Sequence, residues 1–423
     1  MYSAAFGHGE VRLESDSVRT IVFPDTEERV TVTTDLHTHS VFSDGHVWPS
    51  VRVAEAEKDG IDALAITEHL EWQPHIADIP HEDRNRAYEE AVRSSKSLDL
   101  TVIAGAEITR TDEVGHINAV FIRDANALVQ RPKELAYDPE HLVATEADAA
   151  ALAAELSSDA FDKSHSVTID GKQAWAPFAN KETYFTLITY RYAAAQAPEE
   201  VLAAANKQGA FAFWNHPDFK SARPELSVFH RAAIEDGMLH GVEIVNGDRY
   251  YEHAFTLALK HNLALIGTSD VHGLIAWDYI QKGGHRPVTL VFAESNDPES
   301  IRAALFERRT VVWWKDSLIG RARDLDPLLK AMITVKDAEY GGESSRLTLK
   351  LHNNSSADLM LKSTSDVQIV RHGPLVKLAA NQTTSLDVIL DKRVQKFDLN
   401  FEVINALIAP GKNANLVLAV KVD

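Results

Sequence analysis

The sequence predicts an α/β fold, a closed (β/α) barrel followed by a C-terminal β-sandwich. Two observations carry that expectation. From about residue 30 to 320, short β-type runs alternate with amphipathic helical stretches, the pattern of a parallel sheet covered by helices over a length that suits a barrel. From about Ala331 onward, short strand-like runs are split by Asn, Gly, Ser and Asp, the pattern of a sandwich. A chain of 423 residues accommodates both, at roughly 150 residues per domain.

Each element has a local reason. Residues 1–30 read as an extended lead-in, with 11–13 and 20–23 as short strands. The β-branched run before Leu36 makes 30–36 a strand. Pro49 opens and Gly60 ends a helix over 49–59. Residues 63–66 are a buried strand, and 83–98 a helix with Asp83 as N-cap. Strands follow at 101–106 and 117–122. The residues between them, 109–115, are too few for a parallel crossover, so the second strand must run antiparallel to the first. Helical stretches are expected at 139–156 and 184–196. Helices at 199–207, 225–236, 250–261 and 298–308 then alternate with strands at 210–213, 242–245, 264–267, 288–292 and 310–314. Asp324 to Pro327 marks the junction, which divides the chain into the lead-in (1–30), the barrel (31–325) and the sandwich (326–423).

Bulk composition narrows the chemistry. The chain has no cysteine, so thiolate nucleophiles, disulfides and Cys-type zinc sites are excluded, and any metal must be held by His, Asp and Glu. A formal net charge of -19 argues against nucleic acid as the main partner, although cations at a site reverse the sign locally. No membrane span is expected, nor does Met1 to Glu10 carry a signal-peptide pattern. A soluble protein is expected, cytoplasmic, or periplasmic if a signal peptide was removed. Oligomeric state is not legible.

Just past each expected strand stands a metal-type side chain. His37 and His39 follow the first and, lying two apart, face the same way; Asp44 comes five residues later. His69 follows the second strand and Glu107 the third. His116 precedes its antiparallel strand and so reaches the same rim as Glu107. His216 follows 210–213, and Asp270 and His272 follow 264–267. In a barrel the C-terminal strand ends share one rim, where active sites sit. Burying so many imidazoles and carboxylates together without cations is costly. Two or three divalent ions, zinc, manganese or iron, with bridging carboxylates fit the donor set. Asn215 and Asn246 are expected to orient ligands, and Glu68 to hydrogen-bond a ligand imidazole.

These pieces, His37-Thr38-His39, Thr67-Glu68-His69, Gly105-Ala106-Glu107 with His116 and His216, and Ser269-Asp270-Val271-His272, occur in an order that resembles the PHP (polymerase and histidinol phosphatase) family over roughly residues 30–315. The resemblance implies a distorted, TIM-like (β/α)7 barrel and a di- or trinuclear phosphoesterase site. It implies His37, His39, Glu107 and Asp270 as ligands of a first ion, and Asp44, His69 and His272 of a second. His116, His216 and a bridging Glu107 would hold a third. In that expectation a metal-bridging hydroxide cleaves a small phosphorylated substrate, with Asp270, His216 and Glu107 as the catalytic groups.

For the substrate's phosphate, the expected contacts are Arg286 and His285 on the rim after the last motif, Arg84, and Lys181. The stretch around Trp175, Phe178 and Tyr184 is either a lid over the cup or an insertion of packed helices. Two rival classes remain. One is an amidohydrolase-type enzyme cleaving C–N or C–O bonds, which usually bridges its metals with a strand-end lysine that no strand here supplies. The other is a non-catalytic protein in which metal only staples the fold.

Overall fold

The apolar and β-branched runs become strands of one long sheet, in a computed structural model that describes residues 21–422 apart from 76–77, 80, 82, 111, 130–164, 170–171, 177–192, 195, 218–224 and 371–372. Its strands are β1 (Val30–Asp35), β2 (Ala63–Ile66), β3 (Thr101–Thr109), β4 (His116–Val120), β5 (Phe211–Trp214), β6 (Gly241–Asn246), β7 (Ala264–Thr268), β8 (Val288–Ala293), β9 (Thr310–Trp314) and β10 (Ser317–Gly320). The order is β7-β6-β5-β4-β3-β2-β1-β8-β9-β10. Strands β1 to β3 are parallel, as are β5 to β7. Strand β4 lies antiparallel between the two sets, with Thr109 opposite His116 and Glu107 opposite Asn118. The short 109–115 link therefore reverses the chain, as its length requires.

The sheet curls until β7 meets β8 and β9 without a backbone ladder. The Thr289 hydroxyl makes the seam, accepting from the Gly267 N–H at 2.9 Å and donating to the Gly267 carbonyl at 2.8 Å. Gly267 is required there, since a Cβ would sit 2.2 Å from Val312 Cγ1. Gly267→Ala is expected to destabilise the protein by about 1–3 kcal/mol, because a buried valine has little rotamer freedom to yield. Thermal melts should show the loss, and Val312→Ala in the same chain should recover part of it.

Helices α1 (Pro49–Asp59), α2 (Arg86–Ser95), α3 (Pro198–Lys207), α4 (Val228–Glu235), α5 (Glu252–Lys260) and α6 (Pro298–Phe306) lie between strands. Gly60 ends α1 in the left-handed region, φ 76°, its N–H reaching the carbonyls of Ala56 and Glu57. Helix α2 starts three residues later than expected, because Asp83 Oδ1 accepts from the Asn85 N–H and from Asn126 Nδ2 instead of capping a helix. Residues 21–23 form no strand; Ile21 and Phe23 are buried in the core. The described residues of the 124–197 stretch include a β-hairpin, His165–Ile169 with Lys172–Ala176, between the two expected helical stretches, of which 139–156 and 184–192 lie outside the described residues. Residues 11–13, Phe178 and Tyr184 lie outside the described residues.

Helix α7 (Ala322–Met332) carries the chain into the C-terminal region. The expected junction at Asp324 to Pro327 and the boundary at 325/326 lie within it, and its face of Leu325, Leu328, Leu329 and Met332 is buried. The following strands are β11 (Ile333–Tyr340), β12 (Arg346–Asn353), β13 (Leu359–Ser363), β14 (Gln368–Val370), β15 (Leu375–Leu378), β16 (Thr383–Ile389), β17 (Lys396–Ala409) and β18 (Lys412–Lys421). Strands β11-β12-β16-β14 form a separate antiparallel sheet. The others extend the long sheet, since β10 pairs in parallel with β17, Leu318 opposite Ala406. Alternating residues of both sheets, among them Leu347, Leu349, Leu386, Phe401 and Val403, share one core with Leu64, Leu290 and Trp313. Strand β10 escaped sequence reading because it is short and follows β9 after only the two-residue turn Lys315-Asp316. Among the described residues no helix is long and apolar enough to cross a membrane.

Candidate metal centre

The ends of β1, β2, β3, β5 and β7 bring their polar residues to one place. Two isolated bridges fix the loops beyond β1, β2 and β7, Thr38 to Val271 and His69 to Glu107 of β3. All nine expected donors gather there. Glu107 is their hub: its carboxylate oxygens lie 3.4 Å from His37 Nε2, 3.6 Å from His39 Nε2, 2.7 Å from His69 Nδ1, 3.1 Å from His116 Nδ1 and 3.7 Å from His216 Nε2. Asp270 Oδ1 is 3.2 Å from Nε2 of both His37 and His39. Asp44 sits 3.4 Å from His69 and 3.1 Å from His272. Among the described residues, three groups have donor atoms all within 4.8 Å of one another: His39, Asp44, His69 and His272; His37, His39 and Glu107; His69, Glu107 and His116. His216 stands beside them, its ring 4.8 Å from that of His116 and its Nε2 4.0 Å from Asp270.

Two of the donors hold unusual backbone. His216 has φ 28° and Asp270 φ 49°, a region that side chains other than glycine adopt at a cost and that clusters at functional sites. Each is fastened: the His216 N–H donates to Glu243 Oε2 at 2.7 Å, and the Asp270 N–H to the His37 carbonyl at 3.0 Å.

Around the donors lies a shell of orienting groups. Asn215 donates to Glu107 at 2.6 Å and Asn246 to Asp270 at 3.0 Å. Glu243, fully buried within β6, accepts from His37 Nδ1 at 2.8 Å and from the Thr268 hydroxyl at 2.6 Å. Sequence reasoning missed Glu243; its signal is a lone acid inside the otherwise apolar run Gly-Val-Glu-Ile-Val. Among the described residues Glu68 makes no hydrogen bond to an imidazole, contrary to expectation. It accepts from the hydroxyls of Ser40 and Ser43, and Ser43 in turn lies 3.3 Å from His39 Nδ1.

The charges are mutually dependent. Burial would raise the Glu107 carboxyl, but His69, His116 and His37 outweigh it and hold the group well below the usual range. Asp270 is likewise held down against burial, by His37 and His39. Burial opposes charge on His37 and His69, yet Asp270 and Glu107 for the first, and Glu107 and Asp44 for the second, raise both well above the ordinary imidazole value. Burial and the neighbouring His272 push His39 down to about 3. Asp44 Oδ1 and Glu107 Oε2 are buried and receive no hydrogen bond among the described residues. Lone pairs so placed, amid imidazole nitrogens, are what a hard or borderline divalent cation takes. The residues fit such ions.

A cavity of about 840 Å³ opens over the cluster, bounded further out by Trp72, Tyr251, Tyr279, Arg249 and Lys282. None of the expected phosphate contacts among the described residues lines it. Arg286 is 1% exposed and its guanidinium is bound to Asp35 and Asp59. His285 stacks on Trp313, ring centroids 3.4 Å apart. Arg84 turns inward to the Leu70 carbonyl, at 2.9 Å from one terminal nitrogen. Arg286 and His285 were expected on the rim because their segment follows the last motif; buried carboxylates hold Arg286 and a buried carbonyl holds Arg84, while His285 bonds to the backbone carbonyls of Arg286 and Lys315. Lys181 lies outside the described residues.

Comparison with known proteins gives a similar chain. A two-domain protein from Bacteroides vulgatus, containing a predicted PHP-like metal-dependent phosphoesterase, is 31% identical with TM-score 0.73, over 95% of this chain and 98% of that one. A structure from Bifidobacterium adolescentis, described as a metal-dependent phosphoesterase, is 21% identical with TM-score 0.34, over 58% of this chain and 90% of that one. Endonuclease Q in complex with a 27-mer duplex carrying an abasic lesion is 12% identical with TM-score 0.37, over 75% of this chain and 63% of that one. Against the expectation that net charge sets nucleic acid aside as a main partner stands the DNA duplex bound to that protein. Residues 333–419 match a protein-family profile, DUF5001, described as an Ig-like domain. No curated protein matches.

Proposed function

This chain belongs to the PHP family of metal-dependent phosphoesterases, and on that premise we propose that it hydrolyses phosphate esters with two or three divalent ions, zinc, manganese or iron, held at the mouth of β1 to β7. The observation that carries the proposal is Glu107, one buried carboxylate shared by five imidazoles and common to two of the donor groups. The curled sheet is read as that family's distorted (β/α)7 barrel, its seam made by Thr289 rather than by a ladder, and β11 to β18 as the β-sandwich.

In this proposal His37, His39, Glu107 and Asp270 hold one ion, Asp44, His69 and His272 a second, and His116, His216 and Glu107 a third. When bound, such ions supply Lewis acidity to phosphoryl oxygens and acidify water at neutral pH. The chain's own part is positional. Glu107 and Asp270, fixed by Asn215 and Asn246, keep their charge where a phosphoryl group must be met in line. His216 faces the cavity; burial disfavours its charged form, but Glu107 and Asp270 outweigh it and raise the imidazole above its ordinary value before any cation binds. Trp72, Tyr251 and Tyr279 give the cavity apolar walls for the alcohol portion.

The test is metal analysis of the purified protein joined to a screen of aryl phosphate monoesters, aryl phosphodiesters, oligonucleotides, amides and lactones. Bound transition metal with phosphoester turnover is the expected result. Turnover of amides or lactones alone, or none at all with metal bound, overturns it.

Proton linkage gives a second expected outcome. His37 and His69 keep protons above the ordinary range, and a cation takes only the unprotonated ring. Cation uptake therefore releases protons, and affinity should rise with pH and fall as the medium becomes acidic. Titration calorimetry in two buffers of different ionisation enthalpy reads the protons directly; no difference between the buffers contradicts the sign.

A further inference from the structure

We propose that Arg52 is a positioning residue of the metal centre, its guanidinium fixing the loop that carries His39 against the loop that carries His272. The proposal rests on the cluster being a cation site, as argued above. Arg52 lies on α1 and is 1% exposed. Its Nε donates to the His39 carbonyl at 2.7 Å. One terminal nitrogen donates to the carbonyls of Val271 at 3.1 Å and His272 at 2.8 Å. The other donates to the Gly273 carbonyl at 2.7 Å and to Glu55 Oε2 at 2.8 Å. A guanidinium has five N–H donors in a rigid plane, and these five contacts use all of them. Four end on backbone of the two ligand-bearing loops.

The loops are more than two hundred residues apart in sequence, yet the rings of His39 and His272 stack at 4.4 Å and belong to one donor group with Asp44 and His69. Glu55, one helical turn beyond Arg52, takes the Ile275 N–H on its second oxygen at 2.8 Å, so the same helix grips the 271–275 loop twice. Arg52 does not line the cavity, and acts through the ligands it holds. Packing alone does not account for it. A fixed positive charge behind a cation site opposes cation binding, and an apolar side chain of the same volume fills buried space without that penalty. Only the planar fork meets four carbonyls on two loops at once.

The experiment compares wild type, Arg52→Ala and Arg52→Lys for Co²⁺ affinity by chelator competition, for Co²⁺ stoichiometry and for the visible Co²⁺ absorption spectrum, with thermal melts as the fold control. Arg52→Ala is expected to lose at least about tenfold in affinity for one equivalent, the scale of losses when an outer group orienting metal ligands is removed, with an altered spectrum. Added guanidinium ion at millimolar concentration should recover both. Lysine, a point donor, should recover only part. Wild-type affinity and spectrum in a cooperatively melting Arg52→Ala overturn the proposal. If that variant does not melt cooperatively, Arg52→Lys is read instead, and wild-type values there overturn it equally. Failure of wild type itself to bind Co²⁺ is a different result, which sinks the metal reading beneath.

Discussion

Glu107→Gln is expected to lower phosphoester turnover by about 10²–10³-fold, the scale at which loss of one preorganised electrostatic group is felt, and to reduce bound metal at the same time. The substitution keeps the shape of the side chain and the contact with Asn215 Nδ2. It removes the one negative charge that His37, His69 and His116 share. Two of the three donor groups contain Glu107, so metal analysis should show more than one site weakened. Far-ultraviolet dichroism and a cooperative melt establish that the fold survives. Full metal content with wild-type turnover in this variant would refute the bridging role.

Asp270 should be as sensitive, for a partly different reason. Its carboxylate meets His37 and His39 at 3.2 Å, and its backbone sits at φ 49°. Asparagine tolerates the left-handed region better than other side chains, so Asp270→Asn isolates the charge, with turnover of an aryl phosphate expected to fall by about 10³-fold. Asp270→Ala should abolish turnover and add about 1 kcal/mol or more of backbone destabilisation. Stopped release of aryl alcohol with an intact melt for asparagine, and a lower melting temperature for alanine, is the expected pair. Undiminished turnover in asparagine removes Asp270 from the reaction.

Much of the centre was legible because each donor follows directly after a run whose strand character is local. The pair His37 and His39 needs only the alternation of a strand. The place of His116 needed one further step, the length of the 109–115 link, and the pairing of Thr109 with His116 bears it out. What failed were the roles of Arg286 and Glu68, whose partners in the fold are not those that chain order suggested. Arg286 has the side chain of a phosphate clamp, and its rim position was inferred from chain order; Asp35 and Asp59, more than two hundred residues earlier, hold it inside the protein. Glu68 sits beside a ligand in sequence yet answers to Ser40 and Ser43.

The sequence by itself therefore determined most of the elements, the donor chemistry and the side of the sheet on which the donors emerge, because helix caps, strand alternation and turn lengths are local physics. Only the tertiary structure decided which charges are spent on the fold and which face the cavity. It alone brought Glu243 under His37, set the Thr289 seam, and closed Arg52 over two loops. Those outcomes follow from the need of every buried polar group to find a partner, and the chain offers many partners whose distances exist only once it has folded.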